Sequence, residues 1–292
     1  MLNIFVLKSL EFSYKTINFI RRRLSKGDRI DGKVIVSVGN LGFGGSGKTP
    51  VVIAIVKFLE ERGIKSGVLL RGYKSKLEKD GSEVLGNDTE KYGDEAVLIK
   101  RNLENIPIFV GKDRVKNIKE SEDREIPVFI LDDGFQFFGL RKDIEILVED
   151  KKPFLRRDFQ SEKKRADFIL KRAEKNFGFY FSVKGIFPSL NSKEQEFVAF
   201  CGIGNPKSFE NTLKNFGIKF SKFIVFPDHH NYTEKDVKKL EAFGKKLITT
   251  EKDFVKLEKY GIKELYYLKI EAVLTEDFKK EFLKKVEEKI KF

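Results

Sequence analysis

The sequence predicts an α/β protein with a doubly wound, mostly parallel sheet. Short apolar strand candidates alternate with amphipathic helical stretches, and several strands lack the polar alternation of a strand with one exposed face. A glycine-rich segment at residues 42–49 follows the first strand and precedes a helical stretch. Together these observations indicate a P-loop NTPase-like domain. A second, smaller α/β domain, joined by a two-stranded ribbon, is predicted for the C-terminal part.

The strand candidates fall into two series with a strand-like, aromatic segment after each. The first series comprises residues 34–38, 66–70, 106–110, 128–131, 144–148 and 168–170, and the second comprises 197–201, 223–226 and 246–249. We interpret residues 178–188 and 265–274 as the ribbon. The predicted organisation is therefore a helix at 1–26, a nucleotide-binding domain at 27–180 and a smaller domain at 181–292.

Composition and charge narrow the class of protein. The chain has 292 residues, of which 40% are hydrophobic and 35% charged, as in a globular protein with a full core. A single cysteine, Cys201, excludes a disulfide framework. The net charge of +13 favours an anionic partner. Because the basic residues are scattered and no nucleic-acid-binding motif is present, we expect no nucleic acid partner.

Residues 1–26 predict an amphipathic helix with a broad apolar arc. Leu7, Leu10, Tyr14, Ile17 and Leu24 recur at helical spacing, and the basic run 21–23 lies near the end of the segment. That order argues against a cleavable signal peptide, and charged residues interrupt any span long enough to cross a membrane. Two interpretations remain: a helix that lies in the membrane interface, or a helix packed on the domain core.

The glycine-rich segment matches the pattern G-x-x-x-x-G-K-[ST] at every position. Its backbone N–H groups and the helix that follows would hold phosphate oxygens. Lys48 would reach the β and γ phosphates, and the Thr49 hydroxyl would bind Mg²⁺. The predicted nucleotide ligands in this loop are Gly42, Gly44, Gly45, Ser46, Gly47, Lys48 and Thr49.

An apolar strand candidate ends in two carboxylates, Asp132 and Asp133. This is the form of a Walker B element, which places a carboxylate beside Mg²⁺ at the carboxyl edge of the sheet. Adjacent side chains on an extended strand point to opposite faces, so we expect one carboxylate to serve the metal and the other the loop, its water shell or the substrate. The alternative is a polar turn after a buried strand.

Two further polar segments are candidates for the acceptor side of the site. Asp94, followed by Glu95, precedes a helical stretch, so it either caps that helix or accepts a proton from an attacking hydroxyl. His229 and His230, the only histidines of the chain, follow Asp228. They form either a polar loop or a histidine–carboxylate pair in a cleft, and they are too few for a zinc site.

In combination, these segments resemble the tetraacyldisaccharide 4'-kinase family, the lipid A 4'-kinases. The P-loop is common to many enzymes, whereas Asp-Asp-Gly-Phe-Gln, Gly-Ile-Gly-Asn-Pro and Asp-His-His at these separations are far more specific. The matching segments, in order along almost the whole chain, are residues 42–50, 71–73, 93–95, 113–114, 132–136, 165–167, 202–206, 228–230 and 250–253.

The resemblance implies transfer of the γ-phosphoryl group of ATP, with Mg²⁺, to the 4' hydroxyl of a lipid-borne glucosamine disaccharide 1-phosphate. It also implies that Asp94 and His229 together act as the general base at the sugar hydroxyl. Arg114 and Arg165 would offset phosphate charge. The implied metal ligands are Thr49, Glu95 and Asp132. The implied catalytic residues are Lys48, Asp94, Asp133, Arg165 and His229, and Arg114 joins the loop in binding the nucleotide.

The family usually has histidine where this chain has Phe137, and proline where it has Ala96. The change from histidine leaves the role of that position open, whereas we interpret the change from proline as conformational. The family works at the cytoplasmic face of the inner membrane of Gram-negative bacteria. Since residues 1–26 carry six basic residues and one acidic residue, we expect this helix to meet an acidic membrane surface. We also expect the protein to be a monomer.

Two rival functions are a regulatory GTPase and a membrane-associated ATP-binding scaffold without transfer chemistry. A GTPase needs [NT]-K-x-D, but in residues 250–253 the lysine falls one place too late. The pair Asp133-Gly134 also fails the D-x-x-G switch pattern. A scaffold would leave acylated disaccharide unphosphorylated in the presence of ATP.

Overall fold

The structure, a computed structural model, describes residues 4–42, 46–149, 155–172, 177–189 and 195–290. The chain divides into two compact units, a larger one of Met1–Phe181 with Ala272–Phe292 and a smaller one of Ser182–Glu271. The sequence instead assigned all of 181–292 to the smaller domain. The difference arises because the last helix buries Phe278 and Phe282 against Phe168 of the larger unit.

Helices and strands alternate along most of the chain. In chain order, the α-helices of the described residues are α1 (Ile4–Leu24), α2 (Lys48–Glu61), α3 (Thr89–Tyr92), α4 (Asp94–Asn102), α5 (Arg114–Lys119), α6 (Pro206–Asn215), α7 (Glu234–Glu241), α8 (Glu251–Leu257) and α9 (Glu276–Ile290). The strands are β1 (Val34–Gly39), β2 (Ser66–Leu70), β3 (Ser82–Glu83), β4 (Ile108–Val110), β5 (Val128–Asp132), β6 (Ile144–Glu149), β7 (Phe168–Arg172), β8 (Gly178–Phe187), β9 (Phe197–Cys201), β10 (Phe220–Val225), β11 (Lys246–Thr250) and β12 (Leu265–Leu274).

The sheet of the larger unit has the order β8-β7-β6-β1-β5-β2-β4-β3. Its neighbouring strands are parallel except for the short β3, which runs antiparallel to β4. From β1 the chain first builds the β2 and β4 side and then crosses to β6 and β7. This reversal beside β1 is the place where doubly wound sheets bind ligands, at the carboxyl ends of the strands.

Helices cover the central strands on both faces. Every residue of β1, β2 and β5 is buried, as expected for strands without a solvent face. Alternate residues such as Ile35, Phe129 and Leu131 form one apolar cluster with Ile118 of α5. The mixed α/β fold with a large, mostly parallel sheet, which the sequence predicts, is therefore confirmed.

The smaller unit has the strand order β10-β9-β11-β12, again with parallel pairings. The helices α6, α7 and α8 connect these strands. Strands β8 and β12 are neighbours in the hydrogen-bonded order, and each contains one of the two points where the chain passes between the units. These are the segments that the sequence assigned to a ribbon.

Helix α1 packs on the larger unit with one face and exposes apolar side chains on another. The ring of Phe159 lies edge-on between Phe12 and Phe19, at centroid distances of 6.0 and 6.2 Å. Leu10 and Leu24 are nonetheless 58% and 79% exposed. Among the described residues no helix is both long and apolar enough to span a bilayer.

Candidate active site

The strand register brings the phosphate-loop segment and the acidic turn together. Strands β1 and β5 are parallel neighbours with Val38 opposite Asp132, so their carboxyl ends open at one edge of the sheet. Helix α2 then begins at Lys48 after Gly47, whose φ of 86° lies in the left-handed region. A side chain at Gly47 would also meet the ring of Phe181 at 2.7 Å. Both constraints favour glycine there.

Asn40 organises the described residues of the phosphate-loop segment. Its amide nitrogen donates to the Ser46 hydroxyl at 2.9 Å, and its amide oxygen accepts from Lys48 Nζ at 3.2 Å. The predicted ligands Gly44 and Gly45 lie outside the described residues. Lys48 Nζ also lies 3.3 Å from Asp133 Oδ1, so its ammonium group already faces negative charge at the start of α2.

Asp132 has the features of a metal ligand. Its Oδ2 accepts from the Thr49 hydroxyl at 3.0 Å, while its buried Oδ1 has no hydrogen-bond partner. Burial and the charge of Glu95 raise the pKa of Asp132 to about 7, against a partial offset by Lys48. A hard cation would satisfy the unpartnered oxygen and relieve the repulsion between the two carboxylates.

In the described part of the chain, no cluster of three or more histidine, cysteine or acidic side chains is placed to hold a metal ion. A Mg²⁺ ion bound with a nucleotide does not need such a cluster. It keeps several waters and is held by one or two carboxylates, a P-loop hydroxyl and phosphate oxygens. Thr49, Asp132 and Glu95 therefore fit Mg²⁺ as a partner of ATP.

Asp133 differs from the expectation of a carboxylate on the opposite face of the strand. The strand ends at Asp132, and Asp133 has a φ of 52°, so the rule of alternating faces no longer applies. Arg157 donates from Nη1 and Nη2 to the two carboxylate oxygens of Asp133, each at 2.7 Å. Burial would raise the pKa of Asp133, but Lys48 and Arg157 outweigh it and hold that pKa far below its usual range.

Arg114 lies directly behind the acidic turn. It is 3% exposed, and its Nη2 donates to the Asp132 carbonyl oxygen at 3.2 Å. Its Nη1 is buried without a hydrogen-bond partner. The guanidinium carbon lies 4.6 Å from the centroid of Phe137, so the aromatic residue that departs from the family pattern stacks on this arginine. Burial lowers the pKa of Arg114 to about 10, which leaves it cationic at neutral pH.

Arg165 supports the acidic turn and does not carry an unpaired charge. Its Nη2 donates to the Phe135 carbonyl oxygen at 3.0 Å, and it forms ion pairs with Glu145 at 3.0 Å and Glu162 at 3.3 Å. Because the guanidinium is held by one carbonyl oxygen and two carboxylates, these contacts favour a positioning role over the predicted catalytic one. Lys142 Nζ, which donates to the Gly134 carbonyl oxygen at 3.1 Å, belongs to the same network.

Asp94 is the first residue of α4, and the preceding Gly93 occupies the cap position without a side-chain bond. The Asp94 carboxylate accepts the N–H of Glu95 at 2.9 Å. It is therefore not the helix cap that was one of the two alternatives. The charge of Glu95, the next residue, contributes to the raised pKa of Asp132.

The histidines lie in the smaller unit, whereas Asp94 lies in the larger one. His229 has a φ of 56°, its N–H contacts the Gly202 carbonyl oxygen at 3.2 Å, and its Nε2 lies 3.2 Å from Lys252 Nζ. His230 instead stacks on Phe226 and contacts Asp236. His230 therefore forms a histidine–carboxylate pair within the smaller unit, and a role of His229 in the reaction stays a prediction.

Sequence reasoning missed Arg157 and Asn40. Beyond its clamp on Asp133, Arg157 donates from Nε to the Gly42 carbonyl oxygen at 3.1 Å and from Nη2 to Asn40 Oδ1. No local pattern marks an arginine that follows a basic neighbour as part of a nucleotide site. Asn40 does sit between the first strand and the loop, and that position was the available signal.

Comparisons with known proteins point to one family. The family model for tetraacyldisaccharide-1-P 4'-kinase matches residues 4–287. A tetraacyldisaccharide 4'-kinase of Legionella pneumophila (strain Corby) is 34% identical over 267 residues, with 84% of this chain and 81% of the relative covered. The enzyme of the same name from Shewanella loihica is 31% identical, with 90% and 84% covered.

A solved structure extends the similarity to three dimensions. It is the "apo" form of LpxK from Aquifex aeolicus in complex with ATP, and it is 28% identical to this chain with a TM-score of 0.77. The match covers 100% of both chains. The resemblance inferred from the motifs is thereby confirmed: the chain belongs to the tetraacyldisaccharide-1-phosphate 4'-kinase family.

Proposed function

We infer that this chain is an ATP-dependent kinase of lipid A biosynthesis. It transfers the γ-phosphoryl group to the 4' hydroxyl of a tetraacylated glucosamine disaccharide 1-phosphate. The observation that carries this inference is the arrangement at the carboxyl edge of the sheet, where Lys48 opens α2 beside Asp133 and Thr49 bonds Asp132. Family membership supplies the acceptor.

Phosphoryl transfer depends on positioning and charge neutralisation more than on covalent chemistry. We propose that this is a nucleotide site of the P-loop NTPase type. Lys48 would hold the β and γ phosphates, and the N–H groups at the start of α2 would bind further phosphate oxygens. Arg157 and Arg114 supply further positive charge around the acidic turn, and Arg165 holds that turn in place.

We propose that Thr49, Asp132 and Glu95 hold Mg²⁺ when ATP is bound. The ion neutralises charge on the β and γ phosphates. On the acceptor side, Asp94 is proposed to take up the proton of the 4' hydroxyl, with His229 assisting it. Lys252 Nζ donates to His229 Nε2, so the neutral ring would carry its hydrogen on Nδ1, where it can donate a hydrogen bond but cannot take up a proton.

The test of the function is a transfer assay with labelled ATP and a tetraacylated disaccharide 1-phosphate, read by lipid chromatography. A labelled lipid that co-migrates with the 1,4'-bisphosphate is the expected product. Label that appears only as inorganic phosphate would support the alternative of a membrane-associated ATP-binding protein. A larger thermal shift with GTP than with ATP would support the GTPase alternative.

The metal assignment predicts a specific defect for Asp132→Asn. The substitution keeps the size of the side chain and its bond with Thr49, but it removes the charge that attracts the cation. We expect the Mg²⁺ concentration for half-maximal transfer to rise by about tenfold or more, the usual effect of weakening a metal-binding shell. A Mg²⁺ titration of the transfer rate at saturating ATP measures this.

The matched control for that titration is Asp143→Asn. Asp143 is acidic and lies at the other end of the same sheet, where its carboxylate accepts the N–H of Ile35. Its replacement should leave the Mg²⁺ requirement unchanged. An unchanged requirement in Asp132→Asn would contradict the assignment of this carboxylate to the metal.

We propose that the protein binds the membrane peripherally through α1. The outward face exposes Leu10, Ile17 and Leu24, which are spaced by seven residues and therefore lie along one side of the helix. The last turn carries Arg21, Arg22 and Arg23. An exposed apolar stripe followed by a basic cluster suits an interface of acyl chains and acidic headgroups.

Leu10→Ser combined with Ile17→Ser is expected to reduce binding to vesicles that contain phosphatidylglycerol by about tenfold or more. The reason is that two side chains lose their transfer from water to the acyl region. Vesicle co-sedimentation measures the effect. The control is Leu85→Ser, because Leu85 is 76% exposed but lies outside α1. Equal binding by the double variant and the parent would exclude this face as the contact.

A further inference from the structure

Helix α1 carries polar side chains on its buried side, where an apolar residue would pack at lower cost. Asn18 is 2% exposed, and Glu11, two turns earlier, is on the same side of the helix. A buried amide is tolerated when its hydrogen bonds are satisfied. What these two side chains bind therefore indicates why they are polar.

Both side chains bind the backbone of one short segment, residues 155–159, which we call the strap. Asn18 Nδ2 donates to the Arg157 carbonyl oxygen at 3.0 Å, and Glu11 Oε1 accepts the N–H of Arg156 at 3.2 Å. The packing of Phe159 against α1 adds an apolar contact to the same segment. The main chain of Arg157 is thus held from the helix side.

The side chain of Arg157 points the other way, into the nucleotide site. Its guanidinium clamps Asp133 and contacts Asn40, and its Nε donates to the Gly42 carbonyl oxygen. A single residue therefore joins α1 to the phosphate-loop segment and the acidic turn. A bidentate arginine–carboxylate pair needs a defined geometry, so its function depends on where the backbone of Arg157 is held.

We propose that Asn18 is a positioning residue of the nucleotide site, acting through Arg157. The hydrogen bond from Asn18 fixes the strap, and the strap aims the guanidinium at Asp133 and Gly42. Helix α1 then has two separate functions, an outward apolar face for the lipid surface and an inward polar face for the nucleotide site. The proposal rests on the nucleotide-binding part of the proposed function and is independent of the lipid acceptor.

The test measures the affinity of a fluorescent ATP analogue with Mg²⁺, in buffer without lipid or detergent. Asn18→Leu keeps most of the side-chain volume and removes the donor. We expect it to weaken binding of the analogue by about two- to tenfold, the usual range for one hydrogen bond. In the Arg157→Ala background the same substitution should have no further effect, because the residue through which it acts is gone.

Thr16→Ala is the matched control, since Thr16 lies on the same helix and, among the described residues, its hydroxyl bonds only the Phe12 carbonyl oxygen. It should leave affinity unchanged. Glu11→Ala removes the other hydrogen bond to the strap and serves if Asn18→Leu folds poorly. It should also weaken binding of the analogue. An equal loss in both Arg157 backgrounds, or no loss in either variant, would overturn the proposal. Failure to phosphorylate lipid would leave this result untouched.

Discussion

Replacing Lys48 with alanine is expected to lower turnover by about 10²- to 10³-fold, the usual cost of removing a group that stabilises transition-state charge. It should weaken ATP binding as well, because Lys48 contacts phosphates in both the ground state and the transition state. A titration with a fluorescent ATP analogue and a transfer assay at saturating ATP separate the two effects. A loss confined to affinity would contradict the assignment.

The structure gives a reason to expect the turnover loss to exceed the affinity loss. Lys48 Nζ lies near Asp133 Oδ1 and Asn40 Oδ1, so a phosphate group and these two oxygens compete for one ammonium group. Part of the attraction to phosphate is spent in that exchange. The charge that develops during transfer needs no further exchange, and so it benefits from Lys48 in full.

The control for the lysine is Lys65→Ala. Lys65 is a surface lysine whose nearest carboxylate, that of Glu125, lies 3.7 Å away, and both side chains are largely exposed. Exposed ion pairs of this kind contribute little. Turnover and affinity should therefore match those of the parent protein. A similar loss in Lys65→Ala would mean that the assay responds to net charge and not to the site.

The parts of the site that the sequence predicts are those determined by the local backbone. A glycine-rich segment between a strand and a helix has few possible conformations. Acidic residues at the end of a buried parallel strand lie at the carboxyl edge of the sheet. That is why the spacing predicts Lys48 and Thr49 beside the pair Asp132 and Asp133, which the structure brings together. The order of apolar strands predicted the parallel sheet for the same reason.

Contacts between distant segments could not be predicted in this way. Arg157 meets Gly42 and Asp133 only after the sheet has formed, and no periodic pattern links these positions. Helix α9 follows the smaller domain in the chain and was therefore assigned to it, yet its phenylalanines pack against Phe168 of the larger unit. The two-residue strand β3 is too short to have a periodicity of its own.

The conformation of a single residue also changed one expectation. The rule that neighbouring side chains alternate predicts that Asp132 and Asp133 face apart. Asp133 follows the last residue of the strand in a left-handed conformation, and its carboxylate reaches both Arg157 and Lys48. A turn whose φ is set by the following loop leaves no trace in the pattern of hydrophobic residues.

Replacing Asp94 with alanine is expected to lower turnover by about 10²- to 10⁴-fold, the range for loss of a general base. ATP binding should be nearly unchanged, since the proton that Asp94 is proposed to accept belongs to the sugar. The two quantities come from single-turnover transfer and from titration with the ATP analogue. Near-normal turnover would remove Asp94 from the mechanism.

Asp94→Asn separates basicity from structure. The amide oxygen can still accept the Glu95 N–H, so the first turn of α4 keeps its contact, while the group can no longer take up a proton. The asparagine variant should therefore be as slow as the alanine variant and should melt at the temperature of the parent protein. Asp123→Ala, at an exposed acidic residue, should leave both turnover and melting unchanged.

His229→Ala decides whether the two residues act together. Groups that act as one unit in catalysis show strongly non-additive losses, so the double variant should be little slower than the slower single variant. Independent roles would instead multiply the two losses. Multiplied losses would argue that His229 serves a separate step, such as binding of the sugar.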